Sequence, residues 1–379
     1  MPDIQDSPSP ASSGSTPAPD IKKDVIGSAF PSQPAKDSKP APRTIKYPPL
    51  LLDKSQTILL DLEQKLGTKL LVYYTNHDSR ITDEDVQFFF SHVRELPAES
   101  SLCLILISPG GSGTAAWRIA NLLKNYCHNL TVIIPSQCAS AATLLSLAAD
   151  KILFGPAGYL TAIDTSLVHP LNPRFSERFE PTSISVDQVN RIKNFINEDL
   201  KNHPCSKSLS EILFEKIHPI VIGELERSSS LSKLIAINIM QLRNNVPSEE
   251  DQKRIADILN DSYPTHGYPI VLKEAQRIGL PAESTPSDLN TPLWDLTKLC
   301  SLISRKVVTN FSPDYYHLEG VPVMIESASK RTLFVASYDK RLGPRPGMGW
   351  LTENERSRWL VATPSENPAE KYKLSEIEL

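Results

Sequence analysis

"SLCLILISPGGSGTAAWRIANLLKNYC", residues 101 to 127, joins two patterns that belong to different kinds of structure. Ser101 to Ser108 is an almost unbroken apolar run, the mark of a strand covered on both faces. After Thr114, Ile119, Leu122, Leu123 and Tyr126 recur at helical spacing. Between the two, Pro109, Gly110 and Gly111 mark a turn. Strand, glycine turn and helix form half of a βαβ unit, and the pattern continues on both sides. Upstream, the amphipathic "SQTILLDLEQKLG" (55–67) leads into the apolar "KLLVYYT" (69–75), and "TDEDVQFFFSHVREL" (82–96) starts a helix with Thr82 as cap and acids in its first turn. Downstream come the strand "LTVIIPS" (130–136), an alanine-rich helix and the short strand "KILFGP" (151–156). This alternation predicts an α/β fold with a mainly parallel sheet.

The chain has 379 residues, 40% of them apolar, enough for one large domain or two ordinary ones. A formal charge of -4, with no Lys/Arg run interleaved with aromatics, argues against nucleic acid as a partner. Five cysteines, Cys103, Cys127, Cys138, Cys205 and Cys300, lack metal-ligand spacing. They read as reduced thiols of a cytoplasmic protein, and neither metal nor cofactor is expected. No apolar run reaches the roughly 18 to 20 residues of a membrane helix, so no membrane span is expected, and the N-terminus does not read as a secretory signal.

Three regions follow from the pattern. Residues 1–46, with nine prolines, eight serines and Phe30 as their single aromatic, are expected to be a disordered tail. Residues 47–285 are expected to form the main domain, with helices dominating 165–285. There Val189, Ile192, Phe195 and Ile196 form one apolar face, and Leu231, Leu234, Ile235 and Ile239 another. Residues 286–379 read as an extension of unknown role, in which "LWDLTKLCSLISR" is helical while "VPVMIESA" and "RTLFVASY" are strands.

Ser140 sits among Ala139, Ala141 and Ala142, where larger side chains would bury more area. Small residues there let a helix pack closely on a sheet, or let a ligand approach the backbone. Strands one helix apart in a parallel sheet end on the same edge, so Gly110–Gly111 and Ser140 are expected to be neighbours. That grouping suits acyl transfer: a serine nucleophile needs backbone amides aimed at the oxygen that becomes negative. Taken singly, "SPGG" is equally a plain turn and Ser140 a helix cap.

"ISPGG" followed by "QCASAATLLSLAADKILFGPAGYLTAIDTSL" resembles the Clp-protease/crotonase superfamily. With "EKIHPIVIGELERSSSLSKLIA" and "SYPTHGYPIVLKEAQRIGL", the chain looks most like the serine dehydrogenase proteinases, relatives of signal peptide peptidase A, over roughly residues 55 to 285. The resemblance implies Clp/crotonase-like stacked ββα units with a helical C-terminal region. It also implies Ser140 as nucleophile, an oxyanion hole from the amides of Gly111 and Ala141 supported by Gly110, and ring or stacked homo-oligomers. Many relatives carry glycine where this chain has Ala142.

A serine hydroxyl needs a base. Clp relatives carry histidine after the strand that follows the serine; here Asp164 and Thr165 stand there. Asp164 reads as ordering its loop, and His266, before Gly267, as shaping a turn. The signal peptide peptidase relatives use a lysine on a later helix, and Lys233 stands where that lysine is expected, with Lys193 and His218 as alternatives. Lysine near pKa 10.4 serves as a base only when desolvated.

The expected activity is a serine hydrolase, a peptidase with a Ser140–Lys233 dyad acting on a peptide or protein substrate. No GxxxxGK[ST] loop is present, so any ATP-driven unfolding is assigned to a separate unfoldase or adaptor. The rival is a scaffold or binding protein that keeps the fold without turnover. An acyl-CoA enzyme ranks last, since only Asp164 offers it a carboxylate. The apolar surplus in residues 185 to 280, "HPIVIGEL" above all, independently predicts self-association.

Overall fold

The computed structural model describes residues 52–97, 100–164, 166–172, 183–202, 208–215, 217–343, 348–365 and 372–377. The expected tail, Cys205 and most of the irregular stretch 168–183 lie outside these residues. Helix α1 (Leu52–Leu66) is followed by β1 (Lys69–Thr75), α2 (Asp85–Val93), β2 (Ser101–Ile107), α3 (Gly113–Tyr126) and β3 (Asn129–Ile134). Next come β4 (Gln137–Cys138), α4 (Ala141–Ser146), β5 (Lys151–Phe154), β6 (Tyr159–Leu160), β7 (Ser166–Val168) and β8 (Ser183–Ser185). Helices then dominate, as expected: α5 (Val186–Asn202), α6 (Leu209–Phe214), α7 (Pro219–Met240), α8 (Glu249–Asp261) and α9 (Leu272–Ile278). The chain ends with β9 (Ala282–Ser284), α10 (Ser287–Ile303), β10 (Val307–Ser312), β11 (Tyr315–Glu326), β12 (Arg331–Leu342), β13 (Trp350–Pro364) and β14 (Tyr372–Ile377).

One large sheet runs β14-β13-β12-β11-β1-β2-β3-β5-β9, with β10 added to β11. Strands β1, β2, β3, β5 and β9 are parallel neighbours, as the alternation predicts. The other half is antiparallel, because β11 pairs with β1 through Val72–Glu326 to Thr75–Val323. The strands expected in "VPVMIESA" and "RTLFVASY" thus continue the same sheet as the main domain.

The apolar run in β2 follows from its place in the middle of this sheet. Leu102, Leu104 and Leu106 point into the core shared with α2, α3 and α4, while Cys103, Ile105 and Ile107 face α1 and α10. Burial of each large aliphatic side chain contributes about 1.5–3 kcal/mol, so both faces must be apolar.

A second, smaller ladder crosses the carboxyl edge of the parallel strands. Ile81 pairs with Gly111, Ser108 with Cys138, β4 with β6, and Leu160 with Ile270. These short pairings supply the second strand of the ββα units and bring five chain segments together above the sheet.

The C-terminal strands are fixed by a buried charge cluster. Arg331 and Glu326, 0% and 1% exposed, form an ion pair at 2.8 Å across the β11–β12 turn. Ser55 of α1 donates to the second Glu326 oxygen at 2.6 Å and also bonds Arg331. Removing one partner of such a pair leaves a buried uncompensated charge and costs about 3–5 kcal/mol. Arg331→Met is therefore expected to lower the urea-unfolding free energy by about that amount, and Arg331→Met/Glu326→Leu to regain most of it. Equal stability of Arg331→Met and the parent would show that the cluster does not hold the strands.

Candidate functional site

Ser140 lies at the junction of β4 and α4 with φ 53° and ψ -116°. These are the angles of the first central residue of a type II′ turn, and the Ala142 amide closes the turn by donating to the Ala139 carbonyl at 2.9 Å. A non-glycine residue at positive φ is strained by roughly 1–3 kcal/mol and needs surrounding structure to hold it. The Thr161 hydroxyl does this by accepting the Ser140 amide at 2.9 Å. Thr161 is held in turn by Thr143, whose hydroxyl accepts the Thr161 amide at 3.2 Å and reaches the Thr161 carbonyl at 3.0 Å. A serine on such a strand-to-helix turn presents its hydroxyl at the edge of the sheet.

The glycine turn packs directly against this serine. A Cβ on Gly110 would lie 2.6 Å from the Ala139 carbonyl oxygen, 2.7 Å from the Ser140 Cβ and 3.1 Å from the Ala141 nitrogen. No side chain fits there. Gly111 meets the backbone of Ile81 just as closely, with a would-be Cβ 2.4 Å from the Ile81 nitrogen. The Ile81 amide donates to the Gly110 carbonyl at 2.8 Å, and the Ser112 amide to the Ile81 carbonyl at 2.9 Å. Those bonds use the peptide groups on either side of Gly111, so its own N–H belongs to the opposite side of the ladder.

The loop that carries Ile81 has its own anchor. Buried Asp85 accepts from the Thr82 amide and from the Tyr73 hydroxyl, both at 2.7 Å. Burial pushes this carboxyl up to about 6, against the lowering effect of those bonds. Ser108 completes the support, accepting the Gly110 amide at 3.0 Å and bonding the Thr75 hydroxyl at 2.7 Å.

Ala142, the departure from the usual glycine, is fully buried within α4, and Ser140 and Asn354 are the residues other than glycine with positive φ among those described. Alanine therefore fits this helix start without strain.

The three expected base candidates fare differently. Lys233, on α7, makes ion pairs with Asp257 at 2.8 Å and Asp261 at 2.5 Å. Partial burial lowers its pKa, but the two carboxylates outweigh this and raise it. The amine is thus held charged rather than desolvated into a base. His218 caps α7 by accepting the Ile220 amide at 3.2 Å. Lys193 lies in the middle of α5, half-buried.

A fourth group was not expected. Asp164, 7% exposed, bonds His266 Nδ1 through Oδ1 at 2.7 Å, and the His266 side chain remains 40% exposed. The carboxylate raises the His266 pKa above the ordinary 6.5. The signal lay in the sequence: Asp164 stands where Clp relatives carry histidine, and a histidine returns in "THGYPI". The two are 102 residues apart, and no spacing rule joins them. Among the described residues, no three His, Cys, Asp or Glu side chains converge to hold a metal ion.

The chain is similar to several known proteins. The uncharacterized protein MJ0137 of Methanocaldococcus jannaschii is 25% identical over 223 residues, covering 58% of this chain. The match spans 66% of that protein, a little under two thirds of its length. Protein MJ1495 of the same organism is 22% identical over 251 residues, covering 62% of this chain and 74% of its own. Among solved structures, a mutant of the 1510-N membrane-bound stomatin-specific protease is 15% identical. It covers 62% of this chain and 84% of its own, with a TM-score of 0.33, too loose a superposition to bear on the site. The model of the ClpP-like SDH-type serine proteinases matches residues 77–215, the segment that holds Gly110, Gly111, Ser140 and Asp164. Over that segment the chain is similar to the ClpP-like SDH-type serine proteinases.

Proposed function

We propose that this protein is a serine peptidase in which Ser140 attacks the scissile carbonyl. The observation that carries the reading is the seat of Ser140: positive φ on a strand-to-helix turn, with Gly110 packed on its Cβ. In this reading the amides of Gly111 and Ala141 donate to the oxyanion, and the absence of a side chain at Gly110 lets the substrate carbonyl approach. Such donors act where charge develops, and losing one costs about 2.7–4 kcal/mol in the transition state. The finer expectation of a Ser140–Lys233 dyad has the ion pairs to Asp257 and Asp261 against it. The scaffold rival loses one of its supports, because Ala142 sits in an ordinary helical conformation.

The substrate class is a peptide or protein, with no cofactor required by this chemistry. A cytoplasmic setting is supported by Cys103, Cys127, Cys138 and Cys300, all free and buried. No described helix is long and apolar enough to cross a membrane. Self-association is supported by exposed apolar side chains: Phe195 on α5, Phe214 on α6 and Ile220, Leu231 and Leu234 on α7. Val221, Leu225, Ile235 and Ile239 bury the other side of α7, so the exposed face is surplus to the fold. A separate unfoldase or adaptor would supply unfolded chains.

A fluorophosphonate probe is expected to label Ser140 and no other serine. Labelling that persists in Ser140→Ala rejects the assignment. Gly110→Ala is expected to cut the labelling rate by more than about 100-fold, since its methyl displaces Ser140 or the Ala141 amide. Light scattering on dilute protein is expected to give at least twice the chain mass, and a monomer throughout the micromolar range would reject self-association.

A further inference from the structure

We propose that Asp85 is a positioning residue for the reaction: through Thr82 and Ile81 it aims the Gly111 amide at the oxyanion. This rests on Ser140 being the nucleophile and Gly111 an oxyanion donor, as proposed above.

The path from this carboxylate to the Gly111 amide is short. Asp85 opens α2, and its Oδ2 accepts the Thr82 amide at 2.7 Å, the Thr82 hydroxyl at 3.2 Å and the Tyr73 hydroxyl at 2.7 Å. Thr82 follows Ile81, whose amide donates to the Gly110 carbonyl at 2.8 Å. That carbonyl shares one rigid, trans peptide plane with the Gly111 N–H, and the two point in opposite directions. Holding the carbonyl on Ile81 therefore fixes where the Gly111 N–H aims. Tyr73 anchors the other end of the path. It is fully buried in β1, opposite Leu106 of β2 and Ile325 of β11, and its ring packs edge-on against Phe89.

Capping α2 does not need this arrangement. Thr82 and Asp85 have the spacing of a capping box, in which an acid accepts the amide of the capping residue. An acid at the helix surface does that in water. Asp85 is instead fully buried, and its Oδ1 meets no hydrogen-bond partner among the described residues. An orphaned buried acceptor lowers stability.

The charge lowers stability too. Burial pushes the Asp85 carboxyl from the ordinary 3.8 up to about 6. The folded chain then binds this proton more tightly than the unfolded chain, so stability falls as pH rises from about 4 to about 6. An ionised Asp85 at neutral pH thus weakens the fold. What it supplies is a charge-assisted bond to the Thr82 amide, shorter and stronger than a neutral acceptor makes. Groups held in this way cluster at functional sites.

The neighbouring ionisable groups do not neutralise it. Glu84, beside it in the chain, raises its pKa further. Arg118 of α3 pairs with Asp83 at 2.8 Å, and Lys330, just before β12, with Glu95 at 3.0 Å. His92, two turns along α2, bonds Thr332 and Ser327, and burial holds its pKa down to about 3, so its ring is neutral. Tyr73 keeps its proton, because burial and the carboxylate both raise its pKa. Protonating Asp85 therefore weakens the hold on Thr82 with nothing charged to replace it.

The test is the saturation curve of fluorophosphonate labelling in the full chain, which separates probe affinity from maximal rate. At neutral pH, Asp85→Asn is expected to resist urea at least as well as the parent and to keep the parent's half-saturating probe concentration. Its maximal rate is expected to fall roughly 10-fold or more, a part of what loss of a whole oxyanion donor removes. In the parent, that rate is expected to drop on acidification through an ionisation at about 6, which Asp85→Asn lacks. Tyr73→Phe keeps the ring against Phe89 but removes a bond that lowers the Asp85 pKa, so the ionisation is expected to move upward. Asp83→Asn, on the surface nearby, is expected to label like the parent. A parent labelled at Ser140 alongside Asp85→Asn of equal maximal rate overturns the inference and leaves the peptidase reading intact. A rate that falls only as far as stability does has the same effect and returns Asp85 to the role of a helix cap. Should Asp85→Asn fail to fold, an unmoved ionisation in Tyr73→Phe overturns the inference. A parent that is never labelled at Ser140 overturns the peptidase reading, and the inference with it.

Discussion

The short ladder above the sheet is the constraint on which the site depends. A parallel sheet aligns the ends of its strands, but alignment alone leaves the following loops free to diverge. Here Ile81 is bonded to the glycine turn, the turn to β4, β4 to β6, and β6 to Ile270. Each pairing is only one or two residues long. Together they draw backbone from five separate places into one layer, with Ser140 and Gly110 in van der Waals contact. The small residues around Ser140 follow from this, since the layer has no room for side chains between its strands.

The large sheet protects the same region from its other side. Strand β1 would be the open edge of a purely parallel sheet, and β11 covers it. The Arg331–Glu326–Ser55 cluster then locks that antiparallel half to α1. Thr75, at the end of β1, bonds Ser108 at the base of the glycine turn, so the covered edge and the turn share a hydrogen bond.

Much of this was legible in the sequence because burial on two faces leaves a plain mark. The apolar runs at 69–75, 102–107 and 130–134 could only be central strands, and helical spacing assigned the layers around them. The glycines and Ser140 stood out for the same reason, as small residues where large ones would bury more. The pairing of charged side chains was harder to read. Lys233 looks desolvated in sequence, flanked by serines and leucines, yet Asp257 and Asp261 reach it from the next helix. His266 and Asp164 each look like loop residues, and their pairing depends on an antiparallel register set by Leu160 and Ile270. Nor does local pattern reveal that β11 joins β1, because strand partners are chosen in three dimensions. The face of α7 was likewise half legible: Ile235 and Ile239 are buried, while Leu231 and Leu234 of the same run stay exposed.

The backbone of Ser140 has one more consequence, for anyone who selects variants of this protein. Glycine is the residue that accepts φ 53° without strain. Relief of roughly 1–3 kcal/mol outweighs the roughly 0.5–1 kcal/mol that glycine's extra freedom in the unfolded chain takes back. A library sorted only for foldedness, by protease resistance or display level, would therefore enrich glycine at position 140. The best-folded clones would be the ones without the hydroxyl that the proposed reaction uses, and stability engineering here must screen for labelling at this position in the same round.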